Sequence, residues 1–348
     1  MNASLSQATP IRTRIDIQSI FRLAELADYI IPFAIRVACE LGVADKLVDG
    51  PRHADELAQQ TGAHGPSLYR LLRALACKGI FSEAQPGYFA LTPIAELLRS
   101  DHPLSMRSAY PLVPADVRAW GNFMHSVRTG EAAFDPVHGL GYWEYLAEHP
   151  QESVRIDGAQ QAQTRLELKV VLRAYEWSRF EHVVDVGGGN GAFLAGLLAR
   201  YSTMRGALFD LPHVLQGASR VLGAAGVADR CELIPGSFFE SVPQGADAYL
   251  LKRILYGWDD EKAVELLRTV RSAMTLQSRL ILIEPLMGPK WQTEMSARYD
   301  LLMLTMIAGC ARTEERVREL LAAADLSVIS CTPTLMFPIV EAQPVPRR

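Results

Sequence analysis

Val183-Val184-Asp185-Val186-Gly187-Gly188-Gly189-Asn190-Gly191-Ala192-Phe193 is the stretch from which the rest of the chain is read. An apolar strand runs into a glycine-rich turn, and apolar residues then recur at helical spacing through Phe193, Leu194, Leu197, Leu198 and Tyr201. Strand, glycine turn and helix in that order make a site for a nucleotide cofactor. The glycines let the backbone approach a ligand, and the helix N-terminus offers free N–H groups and a positive dipole end. A second apolar run, Met204 to Phe209, closes on Asp210, at the distance where an acid accepts both hydroxyls of a ribose.

Two cofactors fit this stretch. Gly187-x-Gly189-x-x-Ala192 satisfies the dinucleotide fingerprint, which leaves NAD open. Asp185 stands two residues ahead of Gly187, however, and Asp-x-Gly-x-Gly-x-Gly resembles the first motif of S-adenosylmethionine (SAM) methyltransferases. There the acid helps hold the cofactor's amino-acid end, which carries an ammonium; a pyrophosphate gains nothing from a carboxylate. The downstream pattern separates the two. Strands are expected at 182–186, 204–209, 231–234, 247–252 and 278–284, with helices at 192–201, 213–225, 260–275, 292–307 and 314–325, the alternation of a parallel sheet. The end breaks that alternation: 327–331 and 336–342 read as two strands joined directly. A closing hairpin with an antiparallel last strand is how SAM-dependent methyltransferases finish their sheet, and dinucleotide dehydrogenases usually do not end so.

The bulk numbers bound the function. The chain has 348 residues, 49% hydrophobic and 21% charged, enough for two domains with sizeable cores. A net charge of −4 argues against a nucleic-acid protein. The five cysteines, Cys39, Cys77, Cys231, Cys310 and Cys331, are scattered and share no metal-ligand spacing, so no metal is expected and a reduced, cytoplasmic compartment fits. Residues 1–14 lack the apolar segment of a signal peptide, and no apolar run is long enough to span a membrane.

Residues 1–13 read as a loose tail. Ile20, Leu23, Leu26, Ile30, Ile35, Val37 and Leu41 give helical periodicity from 15 to 47, bent or broken at Pro32 and too apolar for a solvated surface. A short helix at 54–58, a turn at Gly62, a helix from Pro66 to Lys78 and a small hairpin at 79–91 spell a winged helix-turn-helix. Such a module binds DNA or dimerises; the acidic chain and the apolar positions of the second helix favour dimerisation. From 105 to 175 helices are expected, with aromatics mostly in the core and His125 and His138 as structural, hydrogen-bonded histidines. The domain reading is 1–104 for dimerisation, 105–175 as a helical linker forming part of a substrate pocket, and 176–348 as the cofactor domain.

Nearly the whole chain resembles the small-molecule O-methyltransferases of the caffeate O-methyltransferase type, in the branch that tailors bacterial natural products. The motifs are Arg128-Thr129-Gly130-Glu131, Phe209-Asp210-Leu211-Pro212, Gly236-Ser237-Phe238-Phe239, the run Leu251-Lys252-Arg253-Ile254-Leu255-Tyr256-Gly257-Trp258-Asp259-Asp260, and Ala311-Arg312-Thr313. The resemblance implies an α/β fold: a C-terminal Rossmann-like class I methyltransferase sheet with an antiparallel last strand, behind a mainly helical winged-helix dimerisation domain. It implies SAM as cofactor, an aromatic small molecule as substrate and a homodimer whose subunits complete each other's pockets, with neither nucleic acid nor membrane as partner.

Carried over position by position, Asp185, Gly187 and Gly189 would lie near the methionine moiety and Asp210, with Leu211 beside it, at the ribose. Ser237 and Phe238 would border adenine, with Lys252 and Trp258 nearby. Ser237 replaces the family's usual Asp and still offers one hydrogen bond. Met303, Met306 and Ile307 would face Gln160, Gln161 and Thr164 across the substrate pocket, Gln160 standing where the family often has Met. The catalytic positions depart further. Where the family reads Leu-His-Asp-Trp, with His as general base, this chain reads Leu255-Tyr256-Gly257-Trp258. A phenol with a reference pKa of about 10 is a poor base near pH 7. The Glu that usually precedes Arg-Thr is Ala311, and the other family Glu is matched by Glu284. Tyr256 and Glu284 are thus the catalytic candidates. A general base is worth on the order of 10²–10⁴ in rate, whereas alignment is worth roughly 7–11 kcal/mol, so methyl transfer by positioning is the expectation. The alternative is a SAM-binding hydroxylase, decarboxylase or pericyclase on the same fold.

Overall fold

A computed structural model describes residues 16–291 and 293–346. The expected tail at 1–13 and position 292 of an expected helix lie outside the described residues. The chain forms two compact units, one ending at Leu98 and one starting at Arg99.

The first unit opens with helices α1 (Ile17–Ala27) and α2 (Ile30–Leu41). The run expected to bend or break at Pro32 is two helices, and the break falls earlier, at Asp28 and Tyr29. Asp28 accepts from the N–H groups of Ile30 (2.8 Å) and Ile31 (3.3 Å), so it caps the start of α2. Pro32 then sits in the first turn, where a missing N–H costs little. Along α1, Ile17, Ile20, Phe21, Leu23 and Leu26 are all more than half exposed. Strand β1 (Arg52–His53), helices α3 (Ala54–Thr61) and α4 (Gly65–Cys77), and strands β2 (Phe81–Gln85) and β3 (Tyr88–Leu91) complete a winged helix, the wing being a three-stranded sheet in the order β1-β3-β2. Leu57, Leu68, Leu72, Leu75 and Phe89 are buried in it. The short helix α5 (Pro93–Glu96) closes this unit.

The second unit begins with five helices: α6 (Pro114–Gly121), α7 (Phe123–Thr129), α8 (Phe134–His138), α9 (Tyr142–Glu148) and α10 (Pro150–Ala174). Of the aromatics expected mostly in the core, Phe134 and Tyr145 are buried and Phe123 and Tyr142 half-buried, whereas Trp120 and Trp143 are exposed. His138 is structural, its Nε2 lying 3.1 Å from the Ala115 carbonyl.

The sheet follows, as β4 (His182–Val186), α11 (Ala192–Arg200), β5 (Arg205–Asp210), α12 (Ala218–Ala224), β6 (Cys231–Pro235), β7 (Ala248–Lys252), α13 (Asp260–Ala273) and β8 (Arg279–Ile283). Then come β9 (Leu286–Met287), α14 (Glu294–Ile307), β10 (Arg312–Thr313), α15 (Glu314–Ala322), β11 (Leu326–Thr332) and β12 (Ile339–Pro344). Seven strands run in the order β11-β12-β8-β7-β4-β5-β6, and β12 alone is antiparallel to its neighbours. The last strand starts at Ile339, not Met336, because Thr334 bonds to the Met336 N–H and the Phe337 carbonyl and folds that stretch into the connection.

Both faces of the sheet are covered, so its strands are near-continuous apolar runs. Val184, Val186, Tyr249 and Leu251 pack under α13 and α15, and Val183, Leu208 and Leu250 pack under α10, α11 and α12. Each such side chain contributes about 1.5–3 kcal/mol by burial. The strand order reverses between β4 and β7, the crevice where open α/β sheets bind ligands. Among the described residues no helix is long and apolar enough to cross a membrane, all five cysteines are free, and no cluster of metal-ligating side chains occurs.

Candidate active site

Two turns leave the sheet at that crevice. The first follows β4. Gly187, Gly189 and Gly191 all have positive φ (71°, 63° and 77°), a backbone path that side-chain-bearing residues rarely take. Gly187 donates to the Phe209 carbonyl (2.8 Å), and Gly189 donates to Asp210 Oδ2 (2.8 Å). Asp210 Oδ1 takes the Leu211 N–H at 2.7 Å. Asp185 lies beneath the turn, where a Cβ on Gly188 would stand 2.6 Å from its carboxylate. It is buried, and neither of its oxygens has a hydrogen-bond partner. Burial pushes its pKa up to about 7; Lys252 pulls it down and Asp210 pushes it up.

Several expected cofactor residues converge on this turn. A Cβ on Gly187 would meet Ile254 (2.7 Å) and the Phe238 ring (3.4 Å). Phe238 stands edge-on to Trp258, ring centroids 6.1 Å apart. Ser237 Oγ accepts from the Phe239 N–H at 3.3 Å. Lys252, expected near adenine, extends toward α10. Its ammonium reaches Glu167 Oε2 (3.2 Å) and Thr164 Oγ1 (3.5 Å) on α10 and lies 5.6 Å from the Phe193 ring centre. A buried carboxylate with both oxygens unpartnered, an edge-lining aromatic pair and an acid at the end of β5 fit a cofactor with an ammonium at one end and an adenosine at the other.

The second turn follows β7 and carries Tyr256. Leu255–Gly257 is one 3-10 turn held from two sides. Glu284, directly after β8, takes the N–H groups of Ile254 (2.7 Å) and Leu255 (2.9 Å) on Oε1, while its buried Oε2 has no hydrogen-bond partner. Arg312 donates to the Leu255 carbonyl (2.8 Å), the Trp258 carbonyl (2.6 Å) and Asp260 Oδ1 (2.6 Å). The small parallel pair β9–β10 brings Arg312 there. Burial pushes Glu284 up to about 7 against the opposing pull of the backbone donors. Burial also raises Tyr256; Arg253 pulls it down, and Glu284, Tyr299 and Glu167 push it up. Its hydroxyl therefore keeps its proton at any ordinary pH and is a donor.

Of the residues expected at the substrate pocket, Met306 packs with Val113, Ala115, Ala119, Phe134, Tyr145 and Leu146, and Ile307, with Leu302, packs against that cluster. Ile307 also approaches Gly257, and Met303 approaches Gly309. Thr164 is buried beside Lys252, whereas Gln160 is exposed. Sequence reasoning missed Gln163, Glu167, Arg253 and Tyr299, a partly buried polar group joined by Gln163, which takes bonds from both Arg253 and Tyr299, and the clamping role of Arg312. Glu167 had a signal: an acid in the apolar stretch Leu166-Glu167-Leu168 of a helix, followed far downstream by adjacent cations ending a strand.

A doubly wound sheet with an antiparallel final hairpin, a glycine turn over a buried acid and a second turn presenting a buried tyrosine define a class I SAM-dependent methyltransferase. Residues 120–327 match the family model of the O-methyltransferase domain, and residues 24–101 match the O-methyltransferase dimerisation domain. The chain belongs to this O-methyltransferase family. It is 39% identical over 326 residues to phenazine O-methyltransferase PhzM of Lysobacter antibioticus, covering 93% of this chain and 95% of that one. The crystal structure of the O-methyltransferase NcsB1 from neocarzinostatin biosynthesis, in complex with S-adenosyl-L-homocysteine (SAH) and 1,4-dihydroxy-2-naphthoic acid, superposes with a TM-score of 0.78 at 35% identity, over 93% of this chain and 98% of that one. A relative with a different activity, aclacinomycin 10-hydroxylase RdmB of Streptomyces purpurascens, is 33% identical over 88% of this chain and 84% of its own length.

Proposed function

We propose that this enzyme methylates a hydroxyl oxygen of an aromatic natural product, with Tyr256 directing that oxygen and no histidine base involved. Bound SAM supplies an electrophilic methyl group on a sulfonium. Asp185, with Gly187 and Gly189, would hold the cofactor's amino-acid end, Asp210 and Leu211 its ribose, and Ser237, Phe238 and Trp258 its adenine. Lys252 at the end of β7 would pull Asp185 toward its ionised form, against the burial that raises it. Met303, Ile307 and Thr164 would line the acceptor side, with Gln160 at its rim.

The observation that carries this reading is the clasped Tyr256 turn. Glu284 fixes its N–H groups, Arg312 fixes its carbonyls, and Ile254 touches the glycine turn. Such fixing supports catalysis by alignment, the larger of the two terms weighed above. The exposed apolar face of α1 and the family's dimerisation domain support a homodimer. The acidic chain argues against nucleic acid as partner. The domain reading of 1–104, 105–175 and 176–348 carries over as dimerisation, acceptor-wall and cofactor parts.

The test is incubation with SAM and a panel of hydroxylated phenazines and naphthoates, following SAH and product mass. Products heavier by one methylene support the reading; SAM binding without transfer to any acceptor sinks it. Tyr256 in place of the base, together with the hydroxylase relative, favours one second reading, a non-methylating SAM-dependent tailoring reaction. Its mark is a product whose mass change is not one methylene.

A further inference from the structure

The turn after β7 presents a tyrosine and no base. Burial keeps Tyr256 protonated, and the charged and titratable groups that act on it are Arg253, Glu284, Tyr299 and Glu167. Glu284 is 3% exposed; its Oε1 is occupied by the Ile254 and Leu255 N–H groups (2.7 and 2.9 Å), and its Oε2 is buried. Neither turn and no part of α14 contains a histidine. The histidines between α7 and α10 are engaged elsewhere. His125 Nε2 lies 3.4 Å from Glu131, His138 Nε2 3.1 Å from the Ala115 carbonyl, and His149 Nδ1 2.8 Å from the Tyr145 carbonyl.

The buried charges beside the two turns lean negative. Asp185, Glu167 and Glu284 are 1%, 0% and 3% exposed. Against these three carboxylates stand Lys252 and Arg253, whose side chains are 10% and 8% exposed, and both lie beside the same acid: Lys252 is 3.2 Å from Glu167 Oε2 and Arg253 Nε 3.7 Å from Oε1. Arg312 is matched by Asp260 at 2.6 Å. Asp185 and Glu284 are thus left to burial, which pushes each up to about 7. A site of this sign opposes a second negative charge and favours a transfer that keeps positive charge in place. Methyl transfer to an oxyanion cancels the sulfonium charge; transfer to a neutral amine carries it over to nitrogen. An amine also needs no base, because its lone pair is free while its N–H bonds are intact. The Tyr256 hydroxyl, an acceptor as well as a donor, can take one of those N–H groups.

We propose that this enzyme also methylates aromatic amines, the neutral nitrogen being turned toward the cofactor by an N–H bond to the Tyr256 hydroxyl. The inference goes beyond hydroxyl acceptors and rests on the methyl-transfer reading. The nitrogen lone pair forms the bond to the methyl carbon as the carbon–sulfur bond breaks. SAH leaves without its sulfonium charge, and the positive charge rests on the N-methylarylammonium. That ion gives one proton to water on release, which leaves the neutral N-methylamine. Tyr256 keeps its proton throughout.

The test compares acceptors that differ only in carrying a hydroxyl or an amino group, in the full-length protein: 1-hydroxyphenazine against 1-aminophenazine, and 1-hydroxy-2-naphthoate against 1-amino-2-naphthoate. The amines are expected to gain one methylene, with the methyl located on the amino nitrogen by NMR. At saturating SAM their kcat/KM should be flat between about pH 6 and pH 9, since the amine stays neutral and no protein base titrates, whereas a hydroxyl acceptor should gain about tenfold per pH unit below its own midpoint. In the SAH complex, where no turnover occurs, calorimetry should give the amine equal affinity at both ends of that range. Y256F should weaken amine binding about tenfold, with unchanged SAH affinity as the check on folding. Methylation of the hydroxyl acceptors alone, a methyl found elsewhere on the amine, or equal amine affinity in Y256F overturns the proposal and leaves the methyltransferase reading standing. So does an amine profile with a midpoint near pH 7 that E284Q removes, which would make Glu284 a base. Transfer to neither group on either scaffold sinks the methyltransferase reading itself.

Discussion

The turns after β4 and β7 are adjacent in the sheet and built on opposite plans. The first follows a positive-φ path on glycines and leaves the Asp185 carboxylate beneath it with no hydrogen-bond partner. The second has a guanidinium on its carbonyls, a carboxylate on its N–H groups and a left-handed arginine at its start. One keeps backbone available to a ligand; the other spends many contacts on fixing one tyrosine. On the proposed reading no histidine base acts, precision at the acceptor oxygen would supply the rate, and the second turn has the construction that precision requires.

Breaking the clamp has the largest expected effect. Arg312 is buried with three bonds to the turn and to Asp260, and R312A leaves two carbonyls without their donor. Two carbonyls left unsatisfied cost roughly 1–3 kcal/mol each in unfolding free energy, read in denaturant melts, with turnover gone. R312K, which cannot reproduce the planar fork, recovers little of it. A near-normal melt for R312A would mean that Glu284 alone holds the turn.

Two alanines separate the turns. On Gly188 a Cβ would lie 2.4 Å from Leu208 and 2.6 Å from the Asp185 carboxylate. Overpacking costs about 1–3 kcal/mol, and SAH affinity in G188A should fall accordingly. On Gly309 the Cβ would lie 2.3 Å from the Tyr256 carbonyl, a backbone atom that moves only with its turn. G309A should bind SAH normally and lose about 10²-fold in turnover, the cost of a small misplacement. Equal loss of SAH binding in both variants would erase the distinction between the turns.

How much of this the sequence showed follows the same division. The first turn is local: Asp185, Gly187 and Gly189 lie within five residues, and Asp210 closes the next strand, so spacing alone placed them. The sheet was legible because strands buried on both faces are apolar runs and the hairpin lacks a helix between its strands. The second turn is held by residues far off in the chain. Lys252 and Glu167 are separated by 85 positions and Arg253 and Gln163 by 90, and no periodicity connects them. The break before α2 lies a few residues ahead of Pro32 for a smaller reason: Asp28 caps two N–H groups there, and Pro32 is tolerated in the first turn that follows.

The buried acids give the two turns different pH signatures. Asp185 and Glu284 are both pushed up to about 7, from ordinary values of 3.8 and 4.5. The folded state holds their protons more tightly than the unfolded one, so their stabilisation is complete at low pH and is lost as pH rises toward 7. The apoprotein's melting temperature should therefore fall between pH 5 and pH 7, less steeply in D185N and in E284Q. SAH, whose ammonium Asp185 would take, should flatten the Asp185 share and leave the Glu284 share. An unchanged slope in D185N would mean that Asp185 is ionised throughout, paired through Lys252.

The smallest expected effect lies at Ser237, the one departure on the cofactor side. Its hydroxyl bonds to the Phe239 N–H at 3.3 Å, long for a hydroxyl acceptor, so little is lost by replacing it. S237D restores the family's acid beside Phe238 and adds one charge-assisted acceptor for a cofactor N–H donor, worth about 1 kcal/mol net once desolvation is counted. SAH affinity measured by calorimetry should tighten severalfold, with kcat unchanged because the substitution lies outside the Tyr256 turn. A change in kcat without a change in affinity would show that the adenine edge and the acceptor turn are coupled, through Phe238 and Trp258, and that the two turns do not act independently.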